Sequence, residues 1–269
     1  TGGMGRGVYW RGDVSGFERL PGQAPEQEGR RLRLWRIRAS QIVTGTGAIE
    51  RPLSFAGNDI PGVMLAGAMR DYIVNYGVPS GDRVVVVTNN DDASRTAFTL
   101  KRHGLEVPVI LDARPEGGGK LAELAREQGF RVENGKAISK VKGGKRVTGV
   151  AICAQAGEGA VLEEITCDAV AMSGGWSPVV HLWSHCGGKL IWDEKNANFR
   201  PDASRPPLGD NGQGFVVPAG AANGEFGLGA LLEDAAAAGA QAADAAGFPA
   251  EFVAGATREP DDDASMEAV

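Results

Sequence analysis

Glycine-rich turns that follow apolar segments are the residues of this chain with the clearest potential for chemistry. They occupy residues 44–47, 173–175 and 220–224. Glycine lets the backbone approach a phosphate or a ribose closely, and the N-terminus of a following helix attracts phosphate charge. In a sheet of parallel strands such turns gather at the carboxyl ends, where ligands bind. Turns without a ligand use the same residues, so a purely structural role stays open for each turn taken alone.

The first and third turns are predicted to line one dinucleotide site. Thr46 ends one strand and can hydrogen-bond to a ribose or to the turn itself. Gly220 and Ala221 end another strand, where a backbone amide can face a phosphate. The glycines that follow let a helix begin close to the ligand, and Phe226 offers an apolar wall. The predicted cofactor-binding residues are Thr46, Gly47, Gly220, Ala221, Gly224, Phe226 and Gly227. No side chain in the sequence is paired with an orienting partner as a general base would be, so no catalytic residue is predicted.

A second nucleotide fingerprint would be expected after the apolar run Val84–Val87. The segment TNNDDA, residues 88–93, lacks glycine at all three positions where a GxGxxG turn requires it. Its polar side chains would obstruct a pyrophosphate, and Asp91 and Asp92 would repel one. Asp112 follows roughly 20 residues later, where a ribose-binding acid is found in such units. We therefore predict that this second unit folds but does not bind NAD tightly.

Composition and charge exclude several classes of function. The net charge is −6 without a basic stripe, which argues against nucleic acid as a partner. No apolar run reaches the roughly 18 residues that a membrane span needs, so no membrane association is predicted. His181 and His185 have helical spacing, but no carboxylate completes a ligand set and no metal site is predicted. The cysteines, Cys153, Cys167 and Cys186, form no CxxC pair, which predicts reduced thiols in a cytoplasmic protein.

Two similar strand-to-glycine motifs indicate how the chain is divided. They lie at Ile42–Pro52 and Val170–Pro178, on either side of a strand–helix–strand segment at 84–111 and a strand meander at 132–166. We predict an α/β fold with an outer domain of residues 1–66 and 160–250, an inserted inner domain of residues 67–159, and an acidic linker or tail over residues 251–269.

Four segments of the chain resemble the alpha subunit of heterotetrameric sarcosine oxidase. They are TGAIERPLSFAGNDIPGVMLAGAMRDYIVNYGV, VVVVTNNDDASRTAFTL, AVAMSGGWSPVVHLWSHCGGKL and AGAANGEFGLGALLEDAAAAG. The resemblance implies a two-dinucleotide-binding-domain flavoprotein-like fold, in which an outer domain, here incomplete, is interrupted by a smaller NAD-type Rossmann-like domain with a β-meander. It also implies oxidative demethylation of sarcosine to glycine by a multi-subunit complex. Alpha subunits of proline dehydrogenase and opine oxidase are similar, so the amine substrate stays open.

The same resemblance implies a distribution of cofactors and partners. NAD binds in the full alpha subunit, FAD belongs to the beta subunit, and FMN lies between alpha and beta. Gamma and delta-type subunits complete the complex, and a further domain of the alpha subunit binds tetrahydrofolate. The fingerprint glycines of the family would precede Thr1 and the folate domain would follow Val269, so the chain is expected to be an internal fragment that is inactive alone.

One departure from related flavoproteins bears on the cofactor. Ala221 stands where disulfide-reductase-type flavoproteins have an aspartate that contacts FAD, which disfavours FAD at the outer site. Two alternatives stay open: a non-catalytic nucleotide-binding scaffold, and a stand-alone NAD(P)H-dependent flavin oxidoreductase. The altered turn at 88–93 favours the first alternative, and the missing CxxC pair counts against the second.

Overall fold

The computed structural model describes residues 3–9, 12–19, 32–156 and 159–249. Its strands are β1 (Gly3–Tyr9), β2 (Asp13–Arg19), β3 (Leu32–Arg38), β4 (Ile42–Thr44), β5 (Ala48–Glu50), β6 (Val63–Leu65), β7 (Val84–Thr88), β8 (Ile110–Asp112), β9 (Val132–Asn134), β10 (Lys136–Gly143), β11 (Val147–Ala154), β12 (Glu163–Ile165), β13 (Ala169–Ser173), β14 (Trp176–Pro178), β15 (Leu190–Asp193), β16 (Asn198–Pro201) and β17 (Val216–Pro218). Its helices are α1 (Ala66–Tyr76), α2 (Asp92–Arg102), α3 (Lys120–Glu127), α4 (His181–His185) and α5 (Leu228–Ala245), and a 3₁₀ turn spans Gly220–Asn223.

The described residues form two compact units. The first unit consists of the described residues up to Ala48, of Pro178–Trp192, and of the described residues from Phe199 onward. The second unit consists of the described residues of Ile49–Ser177 together with Asp193–Asn198. The predicted boundaries are therefore displaced, because residues 49–66 and 160–177 were expected in the outer domain and lie in the second unit.

A five-stranded parallel sheet with the order β6-β13-β7-β8-β9 is the centre of the second unit. The strands β7 and β13 are buried at every position, as their continuous runs VVVVT and AVAMS require. β6 pairs with β13 in this sheet, Val63 opposite Val170. This pairing explains the displaced boundaries, because it places both strands in the sheet of the inserted unit instead of in the outer domain.

Alternate side chains of β7 divide the core of the second unit into two layers. Val84 and Val86 pack with apolar residues of α1, α2 and α3 on one face of the sheet. Val85 and Val87 pack with apolar residues of the β10–β12 meander on the other face. The segments that leave the carboxyl ends of β7, β8 and β13 therefore share one edge of the sheet, which is where ligands bind in folds of this type.

A parallel pair of short strands organises the first unit. β4 and β17 lie in register, with Ile42 opposite Val216. Helix α5 packs against this pair through its small side chains, including Ala238 and Ala242 against Val217. The antiparallel sheet β1-β2-β3 belongs to the same unit.

Two further expectations concern membrane association and the C-terminal residues. Within the described residues, no helix combines the length and apolar character needed to cross a bilayer. Residues 251–269, predicted as an acidic linker or tail, lie outside the described residues.

Candidate functional site

The carboxyl ends of β4 and β17 bring two of the predicted glycine turns to one edge of the first unit. The amide of Ala219 donates to the carbonyl of Thr44 at 3.1 Å, which extends the parallel pairing by one residue beyond the strand ends. Residues 45–47 and residues 220–223 leave from these adjacent ends. The fold thus positions Thr46 and Gly47 at the same edge as Gly220 and Ala221.

Thr46 is fixed to a neighbouring segment of the chain. Its hydroxyl donates to the carbonyl of Val179 at 2.8 Å, and the carbonyl of Gly47 accepts from the amide of Val179 at 2.9 Å. Gly47 has a φ of 74°, a left-handed conformation that favours glycine. The single proton of the Thr46 hydroxyl is therefore used within the protein, and this group can serve a ligand only as an acceptor.

The turn from Gly220 to Gly224 is shaped by two left-handed glycines. Gly220, with a φ of 62°, begins the 3₁₀ turn, and Gly224, with a φ of 97°, follows its last residue. A Cβ added to Gly224 would lie 3.3 Å from Cδ of Arg200, so the arginine stem packs over this glycine. Arg200 thus places a cation beside this turn. The sequence did not indicate its role, because no motif connects Arg200 with Gly224.

Asp234 is a second residue of this edge that the sequence analysis missed. Its carboxylate, on α5, accepts from the amide of Gly220 at 2.7 Å and from the side-chain amide of Asn223 at 2.9 Å. A backbone amide at Gly220 and Ala221 was expected to be able to face a phosphate, and the amide of Gly220 donates instead to this carboxylate. The available signal was the acidic pair Glu233 and Asp234 within the otherwise apolar run LGALLEDAAAA.

The first turn of α5 is the part of this edge best suited to an anion. Gly227 precedes the helix with φ −71° and ψ 136°, and no side chain in the described part of the chain accepts from the amides at 228–230. Free N–H groups at a helix N-terminus carry partial positive charge. Phe226, partly buried, lies immediately before this turn. These amides fit a phosphate-bearing ligand, with Phe226 and the glycine turns beside them.

The predicted residues do not surround the pocket that the first unit contains near α5. That pocket has a volume of about 350 Å³, and its lining includes Trp183, Asn223 and Asp234. None of the seven predicted cofactor-binding residues contributes to this lining. The predicted residues lie instead at the carboxyl edge of β4 and β17.

In the second unit, side chains occupy the turn where a pyrophosphate would bind. Thr88 Oγ1 accepts from the amide of Asn90 at 3.0 Å, and Asn90 Nδ2 donates to Ser173 Oγ at 3.0 Å. Asn90 Oδ1 accepts from the amide of Asp92, at the start of α2, at 3.1 Å. The amides of Asn90 and Asp92, which could bind a phosphate here, are therefore bonded within the turn itself.

Arg114 joins the acids of two strand ends in a buried ion-pair network. Its Nη2 lies 2.6 Å from Asp91 Oδ1 and 2.8 Å from Asp112 Oδ2, and its Nε lies 3.0 Å from Asp112 Oδ1. Burial lowers the pKa of Arg114, and the bonds to Asp112 and Asp91 outweigh this effect and leave the pKa above its usual range. Asp112, at the position of a ribose-binding acid, is thus held by Arg114. Asp91 was expected to repel phosphate, but its charge is balanced internally.

At three helix N-termini of the second unit, a backbone amide that could bind an anion donates instead to an acceptor from the protein. The amide of Gly67 in α1 donates to Glu50 Oε2 at 2.9 Å. Asn90 bonds the start of α2 as described above, and the amide of Gly119 before α3 donates to Asp91 Oδ1 at 3.1 Å. A dinucleotide diphosphate relies on such free amides. The residues of the second unit therefore do not fit a dinucleotide at these helix ends.

Glu50 is a buried carboxylate at the start of α1. It is 7% exposed, and burial raises its pKa above the usual range of glutamate. Hydrogen bonds from Ser173 and Gly67 lower the pKa by less, while Asp92 raises it and Arg70 lowers it. Because the pKa of Glu50 stays raised, burial is the dominant effect.

The thiol of Cys167 does not lie in an environment that favours a nucleophile. Cys153 and Cys167 are free and buried, and Cys186 is buried. Burial raises the pKa of Cys167 to about 11, and the charge of Asp168 raises it further. A thiol with such a pKa is protonated at neutral pH and is a poor nucleophile. Among the described residues, no group of three or more His, Cys, Asp and Glu side chains is arranged to hold a metal ion.

Comparison with curated proteins identifies two similar alpha subunits. Sarcosine oxidase subunit alpha of Corynebacterium sp. (strain P-1) is 42% identical over 222 residues, which are 81% of this chain and 22% of the relative. Sarcosine oxidase subunit alpha of Rhizobium meliloti (strain 1021) is 40% identical over 209 residues, which are 76% of this chain and 19% of the relative. The chain thus spans about a fifth of the length of these relatives. No family model matches the chain.

Solved structures show a similar fold. L-proline dehydrogenase from P. horikoshii has a TM-score of 0.60 at 20% identity, covering 93% of this chain and 42% of that chain. An FAD-dependent pyridine nucleotide-disulphide oxidoreductase from Desulfovibrio vulgaris has a TM-score of 0.57 at 15% identity, covering 92% of this chain and 62% of that chain. These likenesses concern the fold alone, and they confirm the predicted α/β fold of the dinucleotide-binding flavoprotein type.

Replacing Asp234 with alanine should destabilise the first unit. The substitution leaves the Gly220 amide and the Asn223 side chain without their acceptor, which corresponds to a loss of about 1–3 kcal/mol in the free energy of unfolding. The free energy is measured by urea denaturation, with Glu233→Ala as the control because the exposed Glu233 is the preceding residue of the same helix. Equal losses in the two variants would show that the Asp234 contacts do not hold the turn.

Replacing Glu50 with glutamine should change how stability depends on pH. The pKa of Glu50 is raised in the folded state, so between its ordinary and raised values the folded chain binds more protons than the unfolded chain. The free energy of unfolding of the wild type therefore falls as pH rises through the raised pKa. Glu50→Gln should lack this fall, so its stability relative to the wild type increases with pH.

Urea denaturation at a series of pH values from about 4 to about 8 measures this difference, because that range begins near the ordinary pKa of glutamate. Glu116→Gln serves as the control, since Glu116 is exposed in the same unit. A Glu50→Gln profile parallel to that of the wild type would contradict the assignment of Glu50 as a carboxylate destabilised by burial.

Proposed function

We propose that this chain is a nucleotide-binding segment of a sarcosine oxidase alpha subunit in an amine-oxidising complex. The reason is that the matched part of the chain belongs to the sarcosine oxidase alpha-subunit family. The complex would oxidise the CH–NH group of a secondary amine and would demethylate sarcosine to glycine. The two-electron oxidation is supplied by FAD and FMN, held mainly by the beta subunit. The residues of this chain bind and orient a nucleotide.

One observation carries the nucleotide proposal. The glycine turns after β4 and β17 leave from adjacent strand ends. At the same edge, no described side chain accepts a hydrogen bond from the first-turn amides of α5. The ligand we propose here is NAD. Its phosphates would be held by the amides at 228–230, and Phe226 would pack against an apolar part of the ligand. Ala221 lacks the carboxylate expected of an FAD site, which supports NAD over FAD.

The second unit supports a scaffold role within the same subunit. Amides at its helix N-termini donate to Glu50, Asn90 and Asp91, and its ribose-side acid Asp112 is paired with Arg114. We therefore propose that this unit does not bind NAD and serves to support neighbouring parts of the complex. The proposed partners are beta, gamma and delta-type subunits, with tetrahydrofolate bound by another domain of the alpha subunit. The free, buried thiols of Cys153 and Cys167 fit the proposed cytoplasmic location.

Enlarging Ala221 should expel the nucleotide from the full-length alpha polypeptide. Ala221 is partly buried in the 3₁₀ turn at the proposed site, so Ala221→Leu places an isobutyl group against the ligand. The measurement is the amount of NAD released by heating the purified protein and quantified by chromatography. We expect a loss of about tenfold or more in retained NAD, equivalent to about 1.4 kcal/mol or more of binding free energy.

The control is Ala236→Leu, which makes the same change at an exposed position of α5 and should retain NAD. Full NAD content in Ala221→Leu, or no NAD in the wild-type polypeptide, would contradict the proposed site.

Sarcosine-dependent oxygen uptake should require the beta subunit. Uptake by the alpha polypeptide alone would contradict the proposed division of labour.

A further inference from the structure

Arg51 lines a pocket in the second unit that the proposed NAD site does not use. The pocket has a volume of about 330 Å³ and lies at the carboxyl edge of the parallel sheet, where Val87, Asn89 and Gly174 contribute to its wall. Pockets of this size, at this edge of an α/β sheet, are common places for small ligands. The position alone does not indicate a ligand, but the chemistry of the lining does.

The charge of Arg51 has no counter-ion in the described part of the chain. Its Nη1 donates to the carbonyl of Ala197 at 2.6 Å and its Nη2 to the carbonyl of Asn196 at 3.1 Å. Its Nε is buried, and among the described residues it has no hydrogen-bond partner. No described carboxylate lies within ion-pair distance of the guanidinium, and burial lowers the pKa of Arg51.

Arg114 and Arg51 differ in whether a carboxylate balances the charge of the guanidinium. Arg114, in the same unit, is buried between two carboxylates. Withdrawing a cation from water is costly unless an anion or a set of hydrogen bonds compensates for it. Arg51 has two carbonyl partners and no anion, although it is only partly exposed. An anion bound in the pocket would supply the missing compensation.

The remaining lining defines the class of anion. No carboxylate lines the pocket, its other polar side chains are the neutral Ser54, Asn89 and Gln155, and apolar side chains such as Leu53 and Ile138 complete it. A ligand with one negative group and an apolar body matches this arrangement. A dinucleotide does not, because the neighbouring helix N-termini that would hold its phosphates are bonded within the protein.

We propose that this pocket binds a small organic monoanion, with its negative group at Arg51 and its apolar body against Leu53 and Ile138. The ligand is distinct from NAD and from the amine substrate of the proposed function. The proposal is independent of that function, since all the lining residues belong to the second unit and none is among those proposed to hold NAD.

A calorimetric titration of benzoate into the full-length polypeptide tests this proposal. Benzamide has the same ring without the charge and is the matched neutral ligand. Benzoate should bind at least about tenfold more tightly than benzamide, because a hydrogen bond to a charged partner contributes about 1.5–3 kcal/mol. Arg51→Gln should remove this preference for the anion. The control Arg83→Gln, which removes a partly exposed arginine paired with Glu106 in the same unit, should preserve it.

A second variant covers the case in which Arg51→Gln disturbs the segment at 196–197. Ala137 lines the same pocket, so Ala137→Phe fills the pocket while Arg51 is kept, and it should abolish benzoate binding. Absence of binding to the wild type, equal affinities for benzoate and benzamide, or unchanged benzoate binding in either variant would each overturn the proposal. Thermal denaturation of each variant without ligand verifies that it is folded.

Discussion

The assignment of function depends on which groups accept hydrogen bonds from the amides at the helix N-termini. In the second unit the carboxylates of Glu50 and Asp91 and the side chain of Asn90 accept from these amides. In the first unit the described side chains leave the first turn of α5 without such an acceptor. A phosphate needs those amides and their positive end of the helix dipole. Among the described residues, α5 of the first unit thus has first-turn amides without a side-chain acceptor, whereas amides at the helix ends of the second unit donate to protein acceptors.

The buried network around Arg114 makes the arrangement of the second unit independent of a ligand. Removing one partner of a buried ion pair costs about 3–5 kcal/mol, because it leaves an uncompensated charge in the interior. Asp91 and Asp112 belong to the segments after β7 and β8, so Arg114 holds together the two strand ends that a nucleotide would otherwise bridge. A unit stabilised in this way can support its neighbours whether or not a nucleotide is present. This physical property underlies the proposed scaffold role.

The elements with strong local patterns could be predicted from the sequence, and the contacts between distant segments could not. The continuous apolar run of β7 and the alanine-rich run of α5 each indicate their element without tertiary information. The three-residue strand β6 has no such pattern and exists because it pairs with β13, about a hundred residues away, so the unit boundaries were displaced. At the candidate site, the turns were predictable from their glycines. The roles of Asp234 and Arg200 depend on packing across the first unit, which no local motif records.

Hydrogen–deuterium exchange of the full-length alpha polypeptide, with and without NAD, tests the central claim most directly. If α5 provides the open helix end, NAD should slow exchange at the amides of residues 220–231. It should leave exchange unchanged at residues 88–93 and 112–119, whose amides lie in the turns that Asn90 and Arg114 hold closed. Slower exchange at residues 88–93 and 112–119, with no change near α5, would contradict the assignment and would place the nucleotide in the second unit.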